Sequence, residues 1–225
     1  MEQRIARGVH LVGGAGLSDG ADCLCYGLDL GVPVLIDCGA FPSSWPLIRE
    51  NMCRAGLRPE ELHTLVLTHA HIDHAGGAAA AVAETGCRVV AHELDADTLE
   101  RGERRRSAAD WYRTELQPVP VHLRMQGAEE RLDFPDASLL LLHSPGHTPG
   151  SICAYLDVED GDRRTRVLFG QDIHGPFHPD FGSDREAHRR SLERLLALEA
   201  DLLCEGHHGV FHGKDEVRAF IEQFL

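Results

Sequence analysis

Lysine is almost absent from this chain of 225 residues: Lys214 is the only one, and the formal charge is −14. Phosphate backbones need clustered basic side chains, so this balance argues against a nucleic-acid partner. No apolar run approaches the roughly 18 residues of a membrane span, so no membrane partner is expected. Met1 to Leu17 lacks a basic start followed by a long apolar stretch, so no signal peptide and a cytoplasmic location are expected. No Cys-x-x-Cys pair is present, and the seven cysteines are odd in number and scattered. Buried, reduced thiols are expected from that pattern. Cys23 and Cys25, two apart on a predicted strand, face the same way but stand too far apart to pair easily. Neither Gly-x-Ser-x-Gly nor a Ser-His-Asp arrangement offers a serine nucleophile. Aromatics are scarce, with two Trp and three Tyr.

What remains is a globular composition, 43% hydrophobic and 26% charged. A chain of this size buries roughly 70% of its unfolded surface, enough for one core. No linker or low-complexity stretch divides it, so residues 1–225 read as one domain. Short β-rich runs between Gly turns open the chain: Val9–Val12, Cys23–Gly27 and Val32–Ile36. A helix over Trp45–Ala55, a strand over Leu65–Thr68, a helix over Gly76–Glu84 and a strand over Arg88–Ala91 follow. Residues 93–126 read as a charged helical insert that holds Arg104-Arg105-Arg106 and the aromatic pair Trp111-Tyr112. Strands return at Ser138–Leu142, Ser151–Leu156 and Arg166–Phe169. A helix over Arg185–Leu198, a strand over Asp201–Cys204 and a helix from about Asp215 finish the chain. Two meanders, each followed by helices, predict two packed sheets with helices outside.

Fifteen histidines are present, and their placement carries the chemistry. Thr68-His69-Ala70-His71-Ile72-Asp73-His74 puts four metal-capable side chains within six residues, directly after a buried strand. His69 and His71 are two apart on extended chain, so their rings point to one side and can share a metal. Asp73 and His74 fall where an Ala-rich helix begins, and the helix dipole there favours negative charge. Three further groups also follow apolar strands. They are His143-Ser144-Pro145-Gly146-His147, Gly170-Gln171-Asp172 and Glu205-Gly206-His207-His208. Ligands at strand ends can converge on one sheet edge.

With these residues the chain resembles the metallo-β-lactamase superfamily of metallo-hydrolases, from the Leu35-Ile36-Asp37 turn to the last helix. The resemblance implies an α+β fold, the four-layer αβ/βα sandwich. It implies two divalent metal ions, zinc first and iron or manganese compatible. His69, His71 and His147 would hold the first; Asp73, His74 and His207 would hold the second. Asp172 would bridge them, and Asp37 would support the site without ligating. The family has Gly where Gln171 stands, and Gly where His208 follows His207. We expect His207 to be the ligand, with Gly206 freeing the backbone for a tight turn. His92 and His143 are expected to serve as hydrogen-bonding groups, His143 as a partner to a ligand.

Two divalent ions, five neutral imidazoles, two aspartates and one hydroxide leave a single positive charge in an acidic protein. That centre suits a substrate oxygen that turns negative. The expected activity is a metal-bound hydroxide attacking a small ester, lactone or thioester, with water brought to a pKa near about 7. Asp73 is the expected catalytic residue, orienting the nucleophile and moving its proton. Trp111, Tyr112, His174 and His178 are the expected substrate contacts, since selection comes from loops around a site. Asp180 lies in the same loop. A glutathione thioester fits less well, for want of a basic recognition pattern, and a β-lactam less well for want of an export signal. The alternatives are a mononuclear non-haem iron enzyme like the sulfur dioxygenases, or a metal-binding protein without turnover. A flavodiiron site would want an acidic residue where His71 stands. A homo-oligomer is compatible with the sequence.

Overall fold

Continuous apolar runs build two sheets with two buried faces each. The computed structural model describes residues 4–161 and 163–225; Met1 to Gln3 of the Met1–Leu17 segment lie outside them. Strands β1 (Arg4–Ala6), β2 (Val9–Gly13), β3 (Cys25–Asp29), β4 (Pro33–Ile36), β5 (Thr64–Val66), β6 (Arg88–His92) and β7 (Leu123–Met125) lie side by side in chain order. Pairing is antiparallel from β1 to β4 and parallel from β4 to β7. Strands β8 (Glu129–Asp133), β9 (Ser138–His143), β10 (Ile152–Asp160), β11 (Arg163–Gln171), β12 (Leu202–Glu205) and β13 (Val210–His212) form the second sheet, again in chain order. There β11 and β12 pair parallel and every other pair is antiparallel.

Side chains on successive strand residues point to opposite faces, and both faces are apolar here. Val34, Ile36, Val66 and Val90 of the first sheet meet Leu139, Leu141, Val167 and Phe169 of the second in the central core. The intervening Leu35, Leu65 and Val89 turn outward, under helices α1 (Ser44–Arg54), α3 (Ala78–Thr85) and α4 (Glu93–Arg101). Leu142, Leu168 and Leu203 turn outward on the other side, under α5 (Arg185–Leu196) and α6 (Lys214–Glu222). A short helix, α2 (Ile72–Ala75), leads into α3. The result is helix, sheet, sheet, helix: the sandwich expected.

The stretch 93–126 is not a helical insert. Only α4 is helical; it stops at Gly102, whose φ is +61°, and turns follow until β7 completes the first sheet. The Arg run therefore sits on turns, where Arg105 pairs with Asp180 at 2.5 Å. Pro118 and Pro120, which lack an N–H, bar helix from the approach to β7. Cysteine is also corrected in part. All seven are free, but Cys53 is exposed, and the Cys23 and Cys25 sulfurs lie 3.8 Å apart because Cys23 precedes β3 and is not extended strand.

Candidate metal centre

Strands β4, β5, β9, β11 and β12 all end at one edge, and each hands a polar loop to it. From β5, Thr68 to His74 pass along that edge, and all seven residues are buried. Ile72 begins α2, which carries Asp73 and His74, and the His74 ring packs on His69 with centroids 4.1 Å apart. Gly76 follows because the chain at Ala40 presses against it: a Cβ there would stand 1.9 Å from the Ala40 carbonyl oxygen.

The ligand candidates fall into two groups joined by Asp172. One ligand atom each from His69, His71, His147 and Asp172 lie within 4.8 Å of one another, and the same holds for Asp73, His74 and His207. Asp172 Oδ2 is 3.5 Å from His147 Nε2, while Oδ1 is 3.1 Å from His74 Nε2 and 3.3 Å from His207 Nε2. Asp73 Oδ2 lies 3.3 Å from His207 Nε2 and 3.9 Å from His74 Nε2. His208 is elsewhere: its ring packs against His174 and Phe220.

The ring orientations are fixed from behind. His147 donates its Nδ1–H to the Pro176 carbonyl at 2.8 Å, so Nε2 presents a lone pair, 2.9 Å from His71 Nδ1. Asp37 accepts from the Thr68 amide and hydroxyl, both at 2.8 Å, and faces His74 Nδ1 at 2.7 Å. Such carboxylate–histidine pairs set the tautomer of a metal ligand. Asp95 ties the two loops of the first group: Oδ2 accepts from the Ala70 amide (3.0 Å) and the Thr148 hydroxyl (2.9 Å), and Oδ1 from the Gly150 amide (2.9 Å).

The arrangement fits metal ions. The Nε2 atoms of His69 and His71 are buried without a hydrogen-bond partner among the described residues, and His74 Nε2 and Asp172 Oδ1 have near them only each other and the other ligand candidates. Burial and neighbouring imidazoles hold His69 and His71 well below the usual range, so they stay neutral with free lone pairs. Burial opposes the charge of Asp172, yet His74 and His207 outweigh it and keep its carboxyl well below the usual range. Burial also opposes charge on His207, but Asp172 and Asp73 push it up to about 10. One side offers lone pairs and the other demands positive charge, and divalent cations satisfy both.

A cleft of about 170 Å³ opens beside the second group, lined by Trp111, Tyr112, His174, Pro176 and Phe181 among others. Trp111 is 53% exposed. Tyr112 faces Asp73, and burial together with that carboxylate raises its phenol well above the usual range. His178 stands at the rim, edge-on to Trp111 at 5.3 Å, and holds the turn Pro179–Phe181 through Asp180; it does not line this cleft. His143 bonds the Pro149 carbonyl at 2.8 Å and stacks on His92 at 3.7 Å.

Sequence reasoning missed Asp95, Glu205 and Phe181. Phe181 is buried against the His71 ring at 4.3 Å; its signal was an apolar residue in a loop just after Asp172. Glu205 is fully buried at the end of β12 and accepts from His174 and two backbone amides. Its signal was a charged residue closing an apolar strand.

The chain is similar to known proteins over most of its length. It is 25% identical over 207 residues to the probable metallo-hydrolase YflN of Bacillus subtilis, covering 81% of this chain and 77% of that protein. It is 29% identical over 163 residues to the acyl-coenzyme A thioesterase MBLAC2 of Bos taurus, covering 62% of this chain and 53% of that protein, so it spans about half the length of that relative. Among solved structures, a B3 metallo-beta-lactamase with an active-site glutamic acid superposes with a TM-score of 0.82 at 26% identity, over 99% of this chain and 86% of that one. The metallo-beta-lactamase superfamily model matches residues 31–207. By this match, and by the fold and site that accompany it, the chain belongs to the metallo-beta-lactamase superfamily.

Proposed function

We propose that this chain is a two-metal hydrolase, with zinc as the metal, that cleaves a small ester, lactone or thioester. The observation that carries the reading is Asp172, whose two oxygens face the two ligand groups separately. His69, His71 and His147 would hold one ion, Asp73, His74 and His207 the other. Bound divalent ions would lower the pKa of water and polarise a carbonyl oxygen. Asp73 lies between His207 and Tyr112 at the cleft, and there it would orient the attacking water and take its proton. Trp111 and Phe181 offer an apolar wall to the acyl or ring part of a substrate. The thioester arm has added support from MBLAC2, the relative named as an acyl-coenzyme A thioesterase.

Elemental analysis of protein purified without chelators tests the metal count, and a panel of aryl esters, lactones and short acyl thioesters tests the chemistry. About two zinc ions per chain and turnover of at least one class are expected. Asp172→Ala should lose one ion and most turnover while keeping the fold. About one ion per chain, mainly iron, without hydrolysis would overturn the reading in favour of a dioxygenase.

A further inference from the structure

We propose that His174, Glu205 and His208 form a further metal site, outside the two ligand groups, which takes a zinc ion beside the cleft. One ligand atom from each lies within 4.8 Å of the other two, the same spacing that defines the groups around Asp172. The inference goes beyond the hydrolase reading, since ion binding here needs no turnover. It starts from His208, which both ligand groups leave unused. Its ring is exposed and packs edge-on against His174, with centroids 4.6 Å apart at 74°. His69 and His71 of the first group stand in the same relation, 4.6 Å apart at 76°.

Glu205 supplies the third donor, and its orientation is set from behind. Its Oε2 accepts from the backbone amides of His207 and His208, at 2.7 and 2.8 Å. That leaves Oε1 to face His174 Nδ1 at 2.7 Å, an approach close to the 2.9 Å between His147 Nε2 and His71 Nδ1. Backbone donors that fix a carboxylate in this way prepare it as a ligand. Glu205 is fully buried, and no Lys or Arg head group among the described residues pairs with it. A divalent ion would place positive charge where the fold supplies none. Two imidazoles and one carboxylate form a zinc donor set, with a further position left for water. This ion should bind more weakly than those of the two groups, because one ligand is exposed and other cations stand nearby. His174 also lines the cleft together with Asp73, Asp172 and His207. An ion held there would crowd the place of a substrate, so excess zinc should inhibit; this consequence alone rests on the hydrolase reading.

The test dialyses the metal-loaded chain against micromolar free zinc and counts bound ions by elemental analysis. Wild type should take up about one ion per chain more than His208→Ala, while the tightly held ions stay equal in number and affinity. His174→Phe should lose the same weak ion, and the double variant no more than that; His174→Phe also serves if His208→Ala does not fold. Cobalt added to the zinc-loaded wild type should give the visible absorption of an ion on nitrogen and oxygen ligands, and His208→Ala should not. Equal uptake by wild type and His208→Ala would overturn the site and leave a hydrogen-bonded Glu205–His174 pair only. Loss of a tightly held ion in His208→Ala would overturn it too, by moving His208 into the two-ion centre. These readouts stand even if no ester, lactone or thioester is cleaved. Where one is cleaved, zinc beyond the tight equivalents should lower kcat/KM severalfold in wild type and leave His208→Ala unaffected. Uptake of the weak ion without that inhibition would overturn its effect on the cleft.

Discussion

Gly206 precedes the last histidine of the site for a reason other than the turn expected from sequence. Its φ is not in the left-handed region. A Cβ there would stand 2.5 Å from Asp172 Oδ1, closer than any carbon–oxygen contact tolerates. We therefore expect Gly206→Ala to displace the Asp172 carboxylate. Metal content should fall from about two to about one and turnover at least tenfold, with a melting temperature within a few degrees of wild type. Elemental analysis decides it, and two retained ions would remove the steric account. Gln171 is the converse case. It takes φ +42°, a conformation glycine adopts freely, which is the physical content of the family's preference for glycine there. The seven ligand candidates were legible because each follows an apolar strand. Asp95 was not, because an aspartate in a first helical turn reads as ordinary N-terminal charge, and its partners lie up to 55 residues away.

At the scale of elements, α4 is the strap of the first metal group. Asp95 holds the loop of His69 and His71 to the loop of His147 through three hydrogen bonds. Asp95→Ala would leave two buried amides unpaired and the Thr148 hydroxyl with only Ser151 as a partner. We expect a stability loss of about 3 kcal/mol in the metal-free protein and weaker metal binding. Asp95→Asn, which keeps one acceptor, should lose roughly half as much. Urea denaturation measures both; a change below about 0.5 kcal/mol for the alanine variant would refute the strap. The turns after α4 form a wall of the cleft. Trp111 is half exposed and touches Phe181 and His178, whereas Tyr112 also packs on the core beneath the first sheet. Trp111→Ala should thus raise KM severalfold with metal content and melting temperature nearly unchanged. A large drop in melting temperature at constant KM would make it a packing residue. The failure to read 93–126 correctly has the same origin as its usefulness. Charged residues at mixed spacing suit helix and turn alike, and pairing of β7 with β6 decides between them.

For the whole molecule, buried neutral histidines set the acid limit of stability. His92 and His188 are both buried, and desolvation brings each down to about 4. The unfolded chain takes up these protons below about pH 6.5, while the folded protein resists until about 4. Stability should therefore decline as pH falls through that window. Denaturation of the metal-free protein between pH 7 and about 4.5 should show the slope, and His92→Phe should flatten it. Equal slopes in both proteins would remove His92 as a source. The overall plan was legible in the sequence, since short apolar runs between Gly turns mark strands. The strands β1, β7, β8 and β13 were not, because among their residues only Met125 is buried, so no apolar run marks them, and their pairing comes from the neighbouring strand.

Each sheet is made by one continuous half of the chain, β1 to β7 and then β8 to β13. His69, His71, Asp73 and His74 come from the first half, and His147, Asp172 and His207 from the second. Neither half owns a full set of ligand candidates, so metal ions held by them would act as rivets across a seam. Thermodynamic reciprocity then links the two events: whatever pries the sheets apart weakens metal binding by the same factor by which removing metal loosens the seam. Two amides report on that seam directly, Ile152 N–H on the Thr68 carbonyl and Leu24 N–H on the Gly206 carbonyl, each at 2.7 Å. Chelation should speed hydrogen exchange at Ile152 and Leu24 while amides inside either sheet, such as Leu168 and Leu35, keep their protection. Uniform acceleration would mean that the halves come apart only when the whole chain unfolds.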